Sequence, residues 1–552
     1  MRVRLSIALA IAGCLLAAPV SARTRLVVLV PGMEQSSNTW TSLIKRLQSE
    51  VPGFGASETE WLFFDHGAGF YTLGRVNDYA RMLEARIDAK WHQRPFDDVV
   101  LVGHSIGGLF VRQAYLLAAN ADPLNPGESE WAHHVSTIVL FAAVNRGIDD
   151  RSTWGRRTLA SALQRVPHPR LLFEDTLQGS DFVANLRVNW IRKFGQLSSN
   201  APRVTQLLGT NDTIVSVNDS RDLLAFPNQR PINIAYGTHG DLYRLDLKGI
   251  DPDERFAQIR RAFEPRDTDR LVIQADAANP VQHVVFVMHG IRASIDDAWV
   301  GRVREEIAKM GAPNTTLVVD PEYGYLTAAR FAVPWQRRKD IRKFQDYYTE
   351  QLAEHPRAEF DFIGHSNGTY LLGESLKHIP GMRFTNVVLV GSVLPRDFGW
   401  DDLKQRTHQV VRVRNDMARW DWPVALLCSG LRGLGMRDVG TGGFFGFEGQ
   451  AGVVTDASYY DGGHGAALEN SSSVHQLVAF ALGGPFEKVQ LLETPGAFAI
   501  ASRAMPYVVL LGAIALVIVL FRTMVVGRQI QWRRLAYLGA GMLFLWILLD
   551  VI

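Results

Sequence analysis

The sequence predicts an α/β protein built twice over, each unit a parallel sheet covered by helices on both faces. Three observations carry this. Short runs of Val, Leu and Ile alternate with longer amphipathic stretches, the pattern of buried parallel strands joined by helices. The pentapeptide Gly-His-Ser-x-Gly occurs twice, as Gly103-His104-Ser105-Ile106-Gly107 and as Gly364-His365-Ser366-Asn367-Gly368. The segments around the two copies follow one another in the same order.

The bulk numbers agree. The chain has 552 residues, is 47% hydrophobic and 21% charged, which suits more than one packed core and excludes a disordered chain. A net charge of +2 with dispersed arginines offers no basic stripe for nucleic acid. The 2 cysteines are Cys14 and Cys428. With Cys14 in an export leader, no disulfide is expected in the mature chain.

From the amino terminus, residues 1–22 read as a signal peptide. Arg2 and Arg4 form a basic start, Leu5 to Val20 an apolar stretch, and Val20-Ser21-Ala22 a cleavage site. Lipidation at Cys14, in Ile11-Ala12-Gly13-Cys14, and an uncleaved anchor helix are the alternatives. The apolar residues after Cys14 favour cleavage after Ala22.

The first unit is expected over residues 23–265. The strand Arg25 to Val30 runs into the turn Pro31-Gly32-Met33. Trp61 to Asp65 follows, then the amphipathic helix Asp78 to Trp91. The strand Asp98 to Val102 leads into the first pentapeptide, and Leu109 to Leu117 continues as a helix. After the strand Val135 to Ala142, residues 145–200 make a helical excursion. One of its helices carries Leu159, Leu163 and Val166. The other is capped by Ser180 and carries Phe182, Leu186, Trp190 and Phe194. Strands Arg203 to Leu208 and Ile232 to Ala235 and a helix from Asp253 to Phe263 close the unit. A polar join falls near Arg266 to Asp269.

The second unit, residues 268–485, repeats the plan. His283 to Met288 runs into His289-Gly290-Ile291. Leu317 to Asp320, with Gly324 to Thr327 beyond it, matches Trp61 to Asp65 with Gly69 to Leu73 beyond. The helix Asp340 to Glu354, the strand Phe360 to Ile363, the helix Tyr370 to Leu376 and the strand Asn386 to Val393 follow. In both units the turn glycine precedes the pentapeptide serine by roughly 75 residues, as one β–α–β–α–β run requires. Gly430 to Gly452, rich in glycine and aromatic residues, reads as a loop or hairpin lining a cleft and has no phosphate-loop pattern.

The carboxyl terminus predicts a membrane hairpin, with helices over 505–526 and 535–552. Pro506 to Val526 is apolar for about 20 residues, the length that crosses a hydrocarbon core. Arg522, Arg528, Arg533 and Arg534 crowd the short connection, which assigns it to the cytoplasmic side and the preceding units to the other. Buried core helices are the alternative.

A serine hydroxyl attacks a carbonyl only when a base removes its proton and a third group orients that base. A strand before the pentapeptide and a helix after it are the setting of a nucleophile elbow, with the acid and then the histidine following in the chain. After Ser105, Asp212 stands beyond the strand at 203–208 and His239 beyond the strand at 232–235. After Ser366, His464 occupies the matching place. Asp416 and Asp421 compete for the acid. Asp416 is preferred because Asn415-Asp416 repeats Asn211-Asp212. An oxyanion hole needs main-chain N–H groups. Those of Ile106 and Asn367, after each serine, and of Met33 and Ile291, after each first strand, are the candidates. His104 and His365 read as elbow residues rather than bases. The pair His133-His134 reads as structural, since neighbours on a strand point to opposite faces. No metal and no organic cofactor is called for.

The ensemble resembles the α/β-hydrolase superfamily. The first unit is similar to its lipase and esterase branch through the Pro31-Gly32 turn, the elbow, and Ala142-Ala143-Val144-Asn145-Arg146-Gly147, which departs at most positions from a Thr-Pro-His-x-Gly segment found there. Ser180-Asp181-Phe182 to Leu186 resembles the helix of a lipase lid. The resemblance spans residues 25 to 480 and is strong only at the motifs. It implies two tandem α/β-hydrolase domains and acyl-ester hydrolysis, in a superfamily that also holds thioesterases, acyltransferases and inactive relatives. The expectation is an exported serine hydrolase anchored in a bacterial inner membrane with both domains outside the cytoplasm, acting on a lipid or lipid-linked ester. Acyltransferase, thioesterase and non-catalytic envelope binding module are the alternatives. The sequence assigns no oligomeric state.

Overall fold

The computed structural model describes residues 24–149, 170–196, 201–215, 229–264, 281–291, 298–311, 315–321, 328–449, 452–486 and 490–525. Expectations for the leader, for the helix bearing Leu159, Leu163 and Val166, for the join near residue 268, for Gly324 to Thr327 and for the second membrane helix lie outside these residues.

Two parallel sheets of six strands each form the framework. The first has the order β2-β1-β3-β4-β5-β6, with β1 Arg25–Val30, β2 Thr59–Phe63, β3 Asp98–His104, β4 Val135–Phe141, β5 Arg203–Gly209 and β6 Gln229–Ile234. The second has β7 His283–Met288, β8 Thr316–Val319, β9 Glu359–His365, β10 Phe384–Val390, β11 Val410–Ala418 and β12 Val454–Tyr460. Its order, β8-β7-β9-β10-β11-β12, is the first order repeated. Every pairing is parallel among the described strands. The central strands are buried throughout, as in Leu26 to Val30 and Val284 to Met288, which is why they read as unbroken apolar runs.

The principal helices are α1 Thr41–Glu50, α2 Val76–Gln93, α3 Ile106–Ala118, α4 Asp181–Gln196 and α5 Pro252–Arg260 in the first half. The second half has α6 Ala298–Met310, α7 Pro334–Glu354, α8 Asn367–His378, α9 Ser429–Gly433, α10 Ser471–Ala481 and α11 Gly496–Val525. Helices α3 and α8 are buried along nearly their whole lengths, because each follows an elbow and lies against its own sheet.

Helix α4 packs between the two halves. Leu186, Trp190 and Phe194 are buried, and the helix packs between α3 of the first half and α7 of the second. The Arg112 guanidinium lies over the Trp190 ring at 4.5 Å. Polar groups close the same seam. Arg146 donates to both carboxylate oxygens of Asp346 at 2.9 and 2.6 Å and to Glu350 at 3.0 Å. The buried Arg187 donates to Asp346 at 3.2 Å and to Thr349 at 2.6 Å, and Gln178 donates to Asp346 at 2.7 Å. Arg146, in the segment compared with the Thr-Pro-His-x-Gly of lipases, therefore fastens the two halves together.

Asp346 is the centre of that fastening. Removing one partner from a buried ionic cluster leaves the others desolvated and uncompensated. Asp346→Ala is expected to destabilise the chain by roughly 3 kcal/mol, read as a lowered denaturant midpoint. An unchanged midpoint would show that the halves are joined by apolar packing alone.

Candidate active sites

Each serine sits at a point of backbone strain. Ser105 has φ 52° and ψ −122°, and Ser366 has φ 53° and ψ −118°. Such geometry in a residue with a side chain costs on the order of 1–3 kcal/mol and survives only where its surroundings dictate it. They do so here. The Ser105 amide donates to the Phe141 carbonyl of β4 at 3.0 Å, and the Ser366 amide to Val390 of β10 at 2.9 Å. The glycines of the pentapeptide serve close approach. A Cβ on Gly107 would strike the carbonyls of Val30 and Pro31, and one on Gly103 the backbone of Gly108. The left-handed residue of the turn is thus the serine, and the glycines let the first-strand loop and the helix close around it.

In the first half the expected residues meet. Ser105 Oγ lies 2.8 Å from His239 Nε2, and His239 Nδ1 lies 3.0 Å from Asp212 Oδ2. Asp212 also accepts from the amides of Ile214 at 2.8 Å and Val215 at 3.0 Å. Burial works against its ionised form, but the hydrogen bond and charge of His239, with these two amides, hold it below the usual carboxylate range. That favours an ionised acid facing Nδ1 and leaves Nε2 to accept the serine proton.

The amides expected to bind an oxyanion lie beside the elbows. Ile106 opens α3, so its N–H has no acceptor inside the helix. In the turn after β1, Glu34 N–H is used by Ala68 at 3.0 Å and Gln35 N–H by Gly32 at 3.3 Å. That leaves the Met33 amide without a main-chain acceptor among the described residues. A Cβ on Gly32 would press on Ser105 Cβ and the His104 ring, so this turn lies directly against the elbow. In the second half Asn367 opens α8, Ile291 follows Gly290, and Gly290 lies against Ser366 and His365.

The second half corrects one residue. His464 Nδ1 meets Asp421, at 2.9 Å to each carboxylate oxygen. Asp416 is instead bound by Arg414 at 2.8 and 2.7 Å and by the Tyr460 hydroxyl at 2.9 Å. The reason is strand length. β11 extends to Ala418, well beyond the apolar run at 410–413, so Asp416 pairs within the sheet opposite Val390. Counting from the strand ends, Asp212 is three residues beyond Gly209 and Asp421 three beyond Ala418. The repeated Asn-Asp pair was a false register. Among the described residues, no hydrogen bond joins Ser366 Oγ to His464, so this histidine is held by its acid but not engaged with its serine.

Two histidines of the elbows act as struts. His104 is buried, with Nε2 2.6 Å from the His239 carbonyl, and His365 Nε2 lies 3.3 Å from the His464 carbonyl. Each supports the main chain of the base it neighbours. Trp40 and Trp299 hold the struts edge-on at 6.2 and 6.0 Å, and Trp40 stacks on Tyr243 at 3.9 Å. Burial, then the neighbouring base, pushes both strut histidines down to about 3. The pair His133-His134 lies in a helical turn rather than a strand. His133 meets Glu128 at 3.2 Å and His134 stands 4.7 Å from the Trp91 ring. Among the described residues, no group of three His, Cys, Asp or Glu side chains could hold a metal ion.

Residues 27–277 match the model described as alpha/beta hydrolase family. This half is an α/β hydrolase. The second sheet repeats the strand order and the elbow, so both halves of the chain have the hydrolase fold. No curated protein matches the chain. Among solved structures, phospholipase PlaB from Legionella pneumophila is 18% identical with a TM-score of 0.24, the match covering 34% of this chain and 38% of that one. The lipase BlEst2 of Bacillus licheniformis is 16% identical with a TM-score of 0.29, covering 44% of this chain and 94% of that one. An esterase from Exiguobacterium antarcticum is 15% identical with a TM-score of 0.27, covering 44% of this chain and 92% of that one.

The hydrolase struts carry a pH signature. A histidine titrating near 6.5 when unfolded and near 3 when folded binds its proton mainly in the unfolded chain. The stability it contributes is complete above pH 6.5 and is lost as pH falls toward 3, by roughly 1 kcal/mol per pH unit for each histidine. Asp212, held below the ordinary 3.8, adds its loss only at the acid end. His104→Asn is therefore expected to flatten the dependence of the denaturant midpoint on pH across this window. An unaltered slope would show that His104 binds its proton equally in the folded and the unfolded chain.

Proposed function

We propose that the chain hydrolyses carboxylic esters through an acyl-enzyme. The observation that carries this is the continuous line from Ser105 Oγ through His239 to Asp212, with contacts of 2.8 and 3.0 Å. Ser105 attacks the acyl carbonyl as His239 Nε2 takes the hydroxyl proton. The tetrahedral oxyanion is met by the Ile106 and Met33 amides. His239 returns the proton to the leaving alkoxide, and water then repeats the sequence on the acyl-serine. Asp212 orients the imidazole and balances its charge. Ser366, His464 and Asp421, with the amides of Asn367 and Ile291, form the second set. There the serine hydroxyl must turn toward His464 before it reacts.

The cellular setting is part of the same reading: export through residues 1–22, and anchoring in a bacterial inner membrane with both hydrolase domains on the extracytoplasmic side. The described part of the anchor supports it, since Gly496–Val519 is long and apolar enough to span a bilayer. A tethered enzyme suits a lipid or lipid-linked ester.

A fluorophosphonate probe tests the chemistry. Intact protein is expected to take up two equivalents, with Ser105→Ala and Ser366→Ala each removing one. Asp212→Asn should slow ester turnover at Ser105 by on the order of 10⁴-fold, because the wrong histidine tautomer faces the serine. Folded protein that takes up no probe would instead favour a binding module. For topology, a reporter inserted between Gly527 and Arg534 is expected to behave as cytoplasmic; an exported reporter would reverse the orientation.

A further inference from the structure

The second site is built onto the membrane anchor. After Asp421 the chain makes a π-helical turn, Pro423–Cys428, and continues as α9. This unit lies along one face of α11. The Ser502 hydroxyl donates to the Ala425 carbonyl at 2.6 Å and meets Ser429 Oγ at 3.3 Å. Gly430 faces Met505 and Val509, and a Cβ on Gly433 would enter the backbone of Pro506.

That packing stops at Val509. From Leu510 to Val519 the large side chains Leu510, Leu511, Ile514, Leu516, Val517, Ile518 and Val519 are exposed. Pro506 to Val525 is about 20 residues, or about 30 Å of helix, which matches one hydrocarbon thickness. The bilayer surface therefore falls near Pro506, level with Gly433. Leu434, 57% exposed, follows Gly433 at that level, and Trp422, 50% exposed, stands about one to two helical turns above it, between the contacts of Trp420 with Phe498 and of Ala425 with Ser502. Trp420, 47% exposed, packs against Phe498 of α11 at 6.0 Å. Exposed tryptophans at the start of a span are the side chains that settle at the headgroup boundary.

The same elements wall the site. Val424 N–H donates to Asp421 at 3.0 Å, so the acid caps the turn that rests on the anchor. On the other side, Gly391 lies against the His464 ring, Gly443 against Ser392, and Phe444 edge-on to Phe498 at 5.3 Å.

We infer that the second site sits at the bilayer surface and takes the acyl ester of a phospholipid from the membrane in which the chain is anchored, with Trp422 and Leu434 seated among the headgroups. This rests on the hydrolase reading of Ser366. The test uses full-length Ser105→Ala protein in vesicles of phosphatidylcholine and phosphatidylglycerol containing an acyl-labelled phospholipid. The ratio of vesicle-lipid turnover to turnover of a soluble short-chain ester is expected to fall about ten-fold in Trp422→Ser/Leu434→Ser, since interfacial binding scales with the apolar area it buries. Brominated phospholipids should quench a tryptophan signal that Trp422→Phe removes, whether or not Ser366 turns over. An unchanged ratio, or no Trp422-dependent quenching, overturns the assignment. If fluorophosphonate labels Ser366 while vesicle lipid stays intact, the lipid assignment alone has failed. If Ser366 takes no label, the hydrolase reading of this half has failed and the assignment falls with it.

Discussion

The structure depends on holding a serine in a left-handed backbone at the end of a parallel strand. Nothing in serine itself favours φ near 52°. The conformation persists because main-chain groups enclose it: a carbonyl from the next strand accepts its amide, and the first-strand turn presses on it from the other side. The parallel sheet brings the ends of β1, β3 and β4 to one edge, so the same edge that strains the serine also gathers the amides and the histidine. The strain at the serine and the positions of these amides and of the histidine are consequences of one register.

The two copies meet this constraint in the same way and differ in what fixes the acid. In the first half, Asp212 is held by two amides of its own loop. In the second, Asp421 is held by the first turn of a helical unit that lies on α11. The halves are also not free of each other. Asp346 on α7 gathers Arg146, Gln178 and Arg187 from the first half. Helix α4, whose sequence resembles a lid helix, packs between the two halves.

Much of this was legible in the sequence, and the reasons are local. Strands buried on both faces read as apolar runs, so β1 and β7 were placed to the residue. The elbows were legible because close backbone approach demands glycine at fixed offsets. Ser105, Asp212 and His239 followed from chain order alone. Asp421 was not legible, because β11 continues through the charged Arg414-Asn415-Asp416, and a strand that carries a buried ion pair looks like its own end. The apolar face of α4 was legible too, but an apolar face does not say whether it meets a substrate or another domain. That needs the position of α7, some 150 residues on.

The last difference between the copies concerns the serine. Ser105 is already joined to its histidine, while Ser366 is not, although both have the same backbone. The histidine is the variable part. His239 follows a short strand, and its carbonyl meets His104 Nε2 at 2.6 Å, with His104 edge-on to Tyr243 at 5.1 Å. His464 rests on Gly391 and on an acid whose turn continues into α9 and α11. The carboxylate beside His464 is thus tied to the turn that rests on α11, whereas Asp212 is held within its own loop.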